Sequence, residues 1–190
     1  MRVLLADDNR ERADAVSCRL IAAGAAEIIL LVPGQRLVDA VRAAGADVVI
    51  VDMSRPDRDS LESIREVSDH APRPIVLFVD KDDAAFMEEA IEAGVSSYNL
   101  MGSAVPDVKP IVQAAVAIFR RYRKVADDLR KAETKLGERE IVQRAKAQLM
   151  KERRMTEPQA HRHLRLAAMN NGKRMVEVAS ELLERAGKAD

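Results

Sequence analysis

Residues 47–51, DVVIV, and residues 74–79, PIVLFV, are the two runs that decide the fold. Each is short, continuously apolar and rich in β-branched side chains. A strand covered by helices on both faces has that composition. Outward from these candidates, Asp47–Val51 and Pro74–Val79, further apolar runs predict strands at Val3–Ala6, Glu27–Val32 and Ser97–Leu100. Helical patterns at about 10–23, 35–44, 59–69 and 83–93 lie between them. Gly24, Gly45 and Gly94 fall where those helices should stop, because glycine takes a left-handed cap without steric cost. Five strands alternating with helices predict an α/β doubly wound parallel sheet in the order 2-1-3-4-5, with helices on both sides.

From Pro106 onward no strand signal follows. Val108, Ala115, Tyr122, Leu129 and Leu136 recur every seven residues, and Ile111, Ile118, Val125 and Ala132 form a second series offset by three. This is a heptad seam. Its first half is expected to pack on the sheet as a fifth helix. Its second half, through Tyr122, Val125, Leu129 and Leu136, is expected to pair with another copy as a coiled coil. Gly137 should interrupt the helix only mildly. Helices are then predicted near 138–153, 157–169 and 173–186, with Thr156 as an N-cap, Pro158 in the first turn and Asn170-Asn171-Gly172 as the last break. The division predicted is 1–110 for the sheet domain, 111–136 for the linker helix and 137–190 for an all-α three-helix output domain.

The chain has 190 residues, three Phe, two Tyr and no Trp, so its core must be aliphatic and an aromatic platform for stacked bases is missing. Cys18 is the single cysteine, which excludes an intrachain disulfide; it is expected to fill the core. The opening MRVLLADDN turns acidic too soon for a signal peptide, and no apolar run reaches membrane-spanning length. A cytoplasmic location with no membrane partner is the expectation. The zero net charge conceals two opposed halves: residues 1–119 hold 12 Lys and Arg against 20 Asp and Glu, a balance of −8, and residues 120–190 hold 19 against 11, a balance of +8. A basic half of that size suits an anionic partner such as nucleic acid.

In a parallel sheet, ligands bind at the carboxyl ends of the strands. Asp7 and Asp8 end the first predicted strand and Asp52 the third, and these strands would be neighbours. Three converging carboxylates repel one another and suit a hard divalent cation such as Mg²⁺.

These residues, with the segment AGVSSY at 93–98, resemble the receiver domains of two-component signalling, of the CheY-like fold. The resemblance implies Asp52 as phosphoacceptor, Asp8 as a direct metal ligand and Asp7 as a mostly indirect one. Two positions depart from the family pattern: Val79 stands in place of Thr or Ser, and Met101 in place of Lys. Neither side chain can hydrogen-bond or pair with a phosphoryl group. Lys81 is near the second position but not on it.

The last 50 residues carry Ala145-Lys146, Leu149-Met150, Met155-Thr156-Glu157, Ala160, Leu164-Arg165, Ala168-Met169 and Val178-Ala179 in order. In this they resemble the ANTAR output domain of the AmiR and NasT antitermination regulators, which usually carries Tyr where this chain has His161. Leu149, Leu164, Ala167, Ala168, Met175, Val178, Ala179 and Leu182 have the spacing of a small helical core, and Met150, Met155 and Met169 are expected to pack in it or at its edge. Acids are scarce between 141 and 176, where Glu152 and Glu157 stand alone among many cations. The expected RNA-binding residues are Lys146, Lys151, Arg154, Arg162, Arg165, Lys173 and Arg174 for phosphates, with Arg153 nearby. His161, Asn170 and Asn171 are expected to read base edges. His161 and His163, two residues apart, make a poor metal pair.

The resemblance implies binding to paired stem-loops in structured leader RNA, which prevents a terminator from forming; the homodimer expected from the heptad seam would present two output domains to the two loops. The closest likeness is to NasT, implying nitrate or nitrite assimilation genes and a NasS-like nitrate/nitrite sensor partner. Two readings compete with it: a receiver-controlled DNA-binding transcription factor, and a protein-interaction module. An enzyme is not expected, since no nucleophile–base set, phosphate loop or zinc motif is present.

Overall fold

The structure is a computed structural model, and it describes residues 1–53, 57–81, 83–101 and 107–186, with side chains to residue 185. Pro106, where the expected change of pattern begins, lies outside the described residues. The chain divides into two compact units, Met1–Arg123 and Lys124–Asp190.

The first unit is a five-stranded parallel sheet, β1 Arg2–Asp7, β2 Glu27–Leu30, β3 Val48–Met53, β4 Ile75–Val79 and β5 Ser97–Leu100, in the order β2-β1-β3-β4-β5. Every residue of β3 and β4 is buried, which is why both runs read as unbroken apolar stretches. Side chains alternate between the two faces. On one face Leu4, Val49, Val51, Ile75 and Leu77 pack against α2 Leu37–Ala44, α3 Arg58–His70 and α4 Ala84–Glu92. On the other, Val3, Leu5, Val48, Ile50, Val76 and Phe78 pack against α1 Arg10–Ala22 and the start of α5 Val108–Arg153. There Val108, Val112 and Ala115 are buried, so the first turns of the heptad seam dock on the sheet as expected.

Local departures have local causes. β2 stops at Leu30, before the expected Val32, because Gln35 donates its N–H to the Val32 carbonyl at 3.0 Å and turns the chain at Pro33-Gly34. Cys18 is exposed, not a core filler: the buried stripe of α1 is Ala13, Val16 and Leu20, and Cys18 lies off it. Gly94 has φ +103, and a Cβ there would collide with Ser68 Oγ, so this position admits glycine alone.

The second unit contains the rest of α5, then α6 Glu157–Asn171 and α7 Met175–Ala186. α5 runs without a break through Gly137, a single mid-helix glycine costing only about 1 kcal/mol against alanine. Gln159 accepts the Thr156 N–H at 2.9 Å at the start of α6, and Gly172, at φ +62, ends it in the left-handed conformation. Ala145, Leu149, Ala160, Leu164, Ala168, Val178 and Ala179 form the buried core, flanked by Met155, Ala167, Met175 and Leu182. Met150 and Met169 are exposed, contrary to expectation, because the packed stripe of α6 is Ala160, Leu164 and Ala168 and Met169 faces away from it. Among the described residues no helix is long and apolar enough to cross a membrane.

Candidate functional site

The parallel register of β1 and β3 places Asp7 beside Asp52. Asp8 follows, and Asn9 caps α1 by accepting the Arg12 N–H at 3.1 Å. That cap fixes Arg12 in the first turn of α1, close enough for its side chain to reach back over the strand ends. Its Nη2 lies 3.1 Å from Asp7 Oδ1 and 2.8 Å from Asp8 Oδ1. Its Nε lies 3.1 Å from Asp52 Oδ2, and its Nη1 lies 3.2 Å from Asp80 Oδ1. Asp80 follows directly on Val79 at the end of β4. The three expected carboxylates thus do converge, and a fourth carboxylate and a guanidinium join them. The rule that placed Asp7 and Asp52 at strand ends would also have found Asp80. No periodic pattern marks Arg12.

Asp52 has no exposed side-chain surface. Among the described residues neither of its oxygens accepts a hydrogen bond, so the approach of Arg12 Nε is an ionic contact without hydrogen-bond alignment. Burial pushes the Asp52 carboxyl up to about 7; Arg12 opposes this, and the charges of Asp7, Asp80 and Asp8 reinforce it. For Arg12, burial pulls the other way, but the hydrogen bond to Asp7 and the charges of Asp52, Asp7 and Asp80 outweigh it and hold the guanidinium above its ordinary value.

Val79 is fully buried, and Met101 packs partly buried against the apolar layer beneath α1 and α5. The two departures from the receiver pattern are therefore apolar packing positions. Mg²⁺ was expected on Asp7, Asp8 and Asp52. The oxygens suit it, but Arg12 stands among them. Among the described residues no group of three or more acids, His or Cys is arranged to hold a metal ion. With Arg12 in place the donor set does not fit a divalent cation.

In the second unit the cations among the expected RNA-binding residues separate into three groups. Lys146 is buried, its side chain 7% exposed, and its Nζ pairs with Glu157 Oε1 at 2.5 Å. An ammonium so enclosed is not a surface contact, and its place in the expected set is corrected on that ground. Lys173 is exposed and pairs with Glu181, and Arg174 pairs with Glu138 at 2.8 Å and Glu177 at 3.0 Å. Glu138 at 2.8 Å is an acid that the scarcity argument, confined to 141–176, did not cover. Lys151, Arg154, Arg162 and Arg165 are exposed and form no ion pair with any described acid. His161, Asn170 and Asn171 are exposed as well; His163 is half-buried, with its Nε2 at 3.3 Å from Arg153 Nη1.

Arg154 adopts φ +53, a left-handed conformation uncommon outside glycine, in the turn between α5 and α6. On α6, Arg162, Arg165, Leu166 and Met169 share one face by helical spacing, and Leu166 and Met169 are both exposed. Sequence reading missed this mixed basic and apolar face, since Met169 looked like packing. Ile118, Tyr122, Val125, Leu129 and Leu136 of α5 are each more than half exposed, so the later seam residues have no described covering.

Residues 3–99 match the response regulator receiver domain family, and residues 130–183 match the ANTAR domain family. Transcriptional regulatory protein PdtaR of Mycobacterium tuberculosis is 30% identical over 154 residues, covering 81% of this chain and 75% of its own. Among solved structures, a response regulator from Thermotoga maritima superposes with a TM-score of 0.54 at 20% identity, covering 61% of this chain and 97% of the other. A LuxR-family DNA-binding response regulator from Staphylococcus aureus superposes with a TM-score of 0.51 at 18% identity, covering 62% and 98%. Likeness at these identities establishes the receiver fold and says nothing of the output.

Proposed function

Because the chain belongs to the response regulators, with a receiver domain followed by an ANTAR domain, we propose that it is a transcription antitermination regulator that binds paired stem-loops in nascent leader RNA. The observation carrying this reading is the set of exposed cations without acidic partners, Lys151, Arg154, Arg162 and Arg165, inside the ANTAR span. Cations not already neutralised by the protein are the ones that release counterions from a phosphate backbone. Exposed Leu166 and Met169, on the same face of α6 as Arg162 and Arg165, add an apolar surface for unstacked loop bases.

The proposal includes control by a sensor partner, with Asp52 as the acceptor when a kinase is involved. It also includes homodimerisation along Tyr122, Val125, Leu129 and Leu136, which would give each RNA loop the benefit of the other's binding. The finer assignment, to nitrate or nitrite assimilation genes under a NasS-like sensor in the cytoplasm, rests on the likeness to NasT. Binding selection from total transcripts tests it. Enrichment of paired stem-loops upstream of nitrate or nitrite genes is the expected result, and enrichment of unrelated leaders would overturn the finer assignment while leaving RNA binding intact.

A further inference from the structure

We infer that Arg12 is the resident cation of the receiver's acid site, occupying the place that a divalent ion would take and excluding that ion while it stays. The guanidinium lies within 3.2 Å of carboxylate oxygens from Asp7, Asp8, Asp52 and Asp80, one from each of four acids. Four carboxylates at three adjacent strand ends cannot remain together uncompensated. A divalent ion can compensate them, and so can a tethered guanidinium with donors pointing in a planar fan.

Arg12 is held to this task from both ends. Its backbone N–H is fixed by the Asn9 cap, and its side chain is only 14% exposed. A divalent ion bound by Asp7, Asp8 and Asp52 would sit against a fixed positive charge, a repulsion the partly buried surroundings screen poorly. The other family positions agree, since Val79 and Met101 give an incoming phosphoryl group neither a hydroxyl nor an ammonium. The acid site therefore rests partly compensated by a cation of its own chain. This holds whatever the output domain binds.

The test is Mn²⁺ binding by the full-length protein. In the unaltered chain, amide NMR signals of Asp7, Asp8 and Asp52 should show no site-specific paramagnetic broadening at millimolar Mn²⁺. Selective broadening there would overturn the inference without any variant. In Arg12→Met, with folding checked by circular dichroism, Mn²⁺ affinity by electron paramagnetic resonance should rise about tenfold or more, since a like charge is removed from the site. Divalent ions should also raise the thermal midpoint of that variant and not that of the unaltered chain. Equal Mn²⁺ affinity in the two proteins would overturn the inference.

Discussion

Arg12 Nε stands 3.1 Å from Asp52 Oδ2, a carboxylate with no exposed side-chain surface and, among the described residues, no hydrogen bond to either oxygen. One guanidinium balances four acids there, so the cluster remains short of positive charge. Burial is the main reason that the Asp52 carboxyl titrates high even with a cation beside it, and the surplus of acids adds to it.

A stability signature follows from that shift. Asp52 ionises near 3.8 in the unfolded chain and at about 7 in the fold, so between these values the folded state holds a proton that the unfolded state has lost. Its contribution to stability is complete below about 3.8 and is lost as pH rises through about 7. Asp52→Asn lacks this proton. In metal-free buffer, stability by urea unfolding, taken as unaltered chain minus variant, should fall by up to about 4 kcal/mol between pH 4 and pH 8. A difference that stays flat across that range contradicts the assigned shift.

The basic residues of the output domain should separate by exposure and not by charge. Lys146→Met should leave RNA affinity within about twofold once folding is confirmed, because that side chain is enclosed and its ammonium is paired with Glu157. Arg165→Ala should weaken binding roughly tenfold and lower the slope of log affinity against log salt by about one. Fluorescence anisotropy over a salt series measures both. Equal losses in the two variants would return Lys146 to the contact surface.

The exposed row on α5 should determine the oligomeric state. Tyr122 and Leu129 occupy successive positions of one heptad series, and both are more than half exposed. The double variant Tyr122→Glu, Leu129→Glu should sediment as a monomer at concentrations where the unaltered chain sediments as a dimer. The same mass for both proteins would remove the coiled coil from the proposal.

The receiver was legible where one physical constraint acts on a whole run of residues. DVVIV and PIVLFV could only be strands buried on both faces, and both are. Asp7 and Asp52 were legible because strand ends collect ligands in this fold, and the register does bring them side by side. Arg12 was not legible, since its role depends on the rotamer of one long side chain and on a cap that sets where the helix begins. Met169 and Cys18 misled for a related reason: apolar residues near a helical stripe can fall just outside it, and packing alone decides which. The burial of Lys146 was hidden because its partner Glu157 lies across a turn, where spacing gives no sign of a contact.

The most direct measurement of the central claim is a competition between a structured leader RNA carrying paired stem-loops and duplex DNA of the same sequence, titrated with the full-length protein at two salt concentrations. The RNA should win at both, with an affinity that falls steeply as salt rises and a preference lost in Arg165→Ala. Equal or tighter binding to the duplex DNA would contradict it.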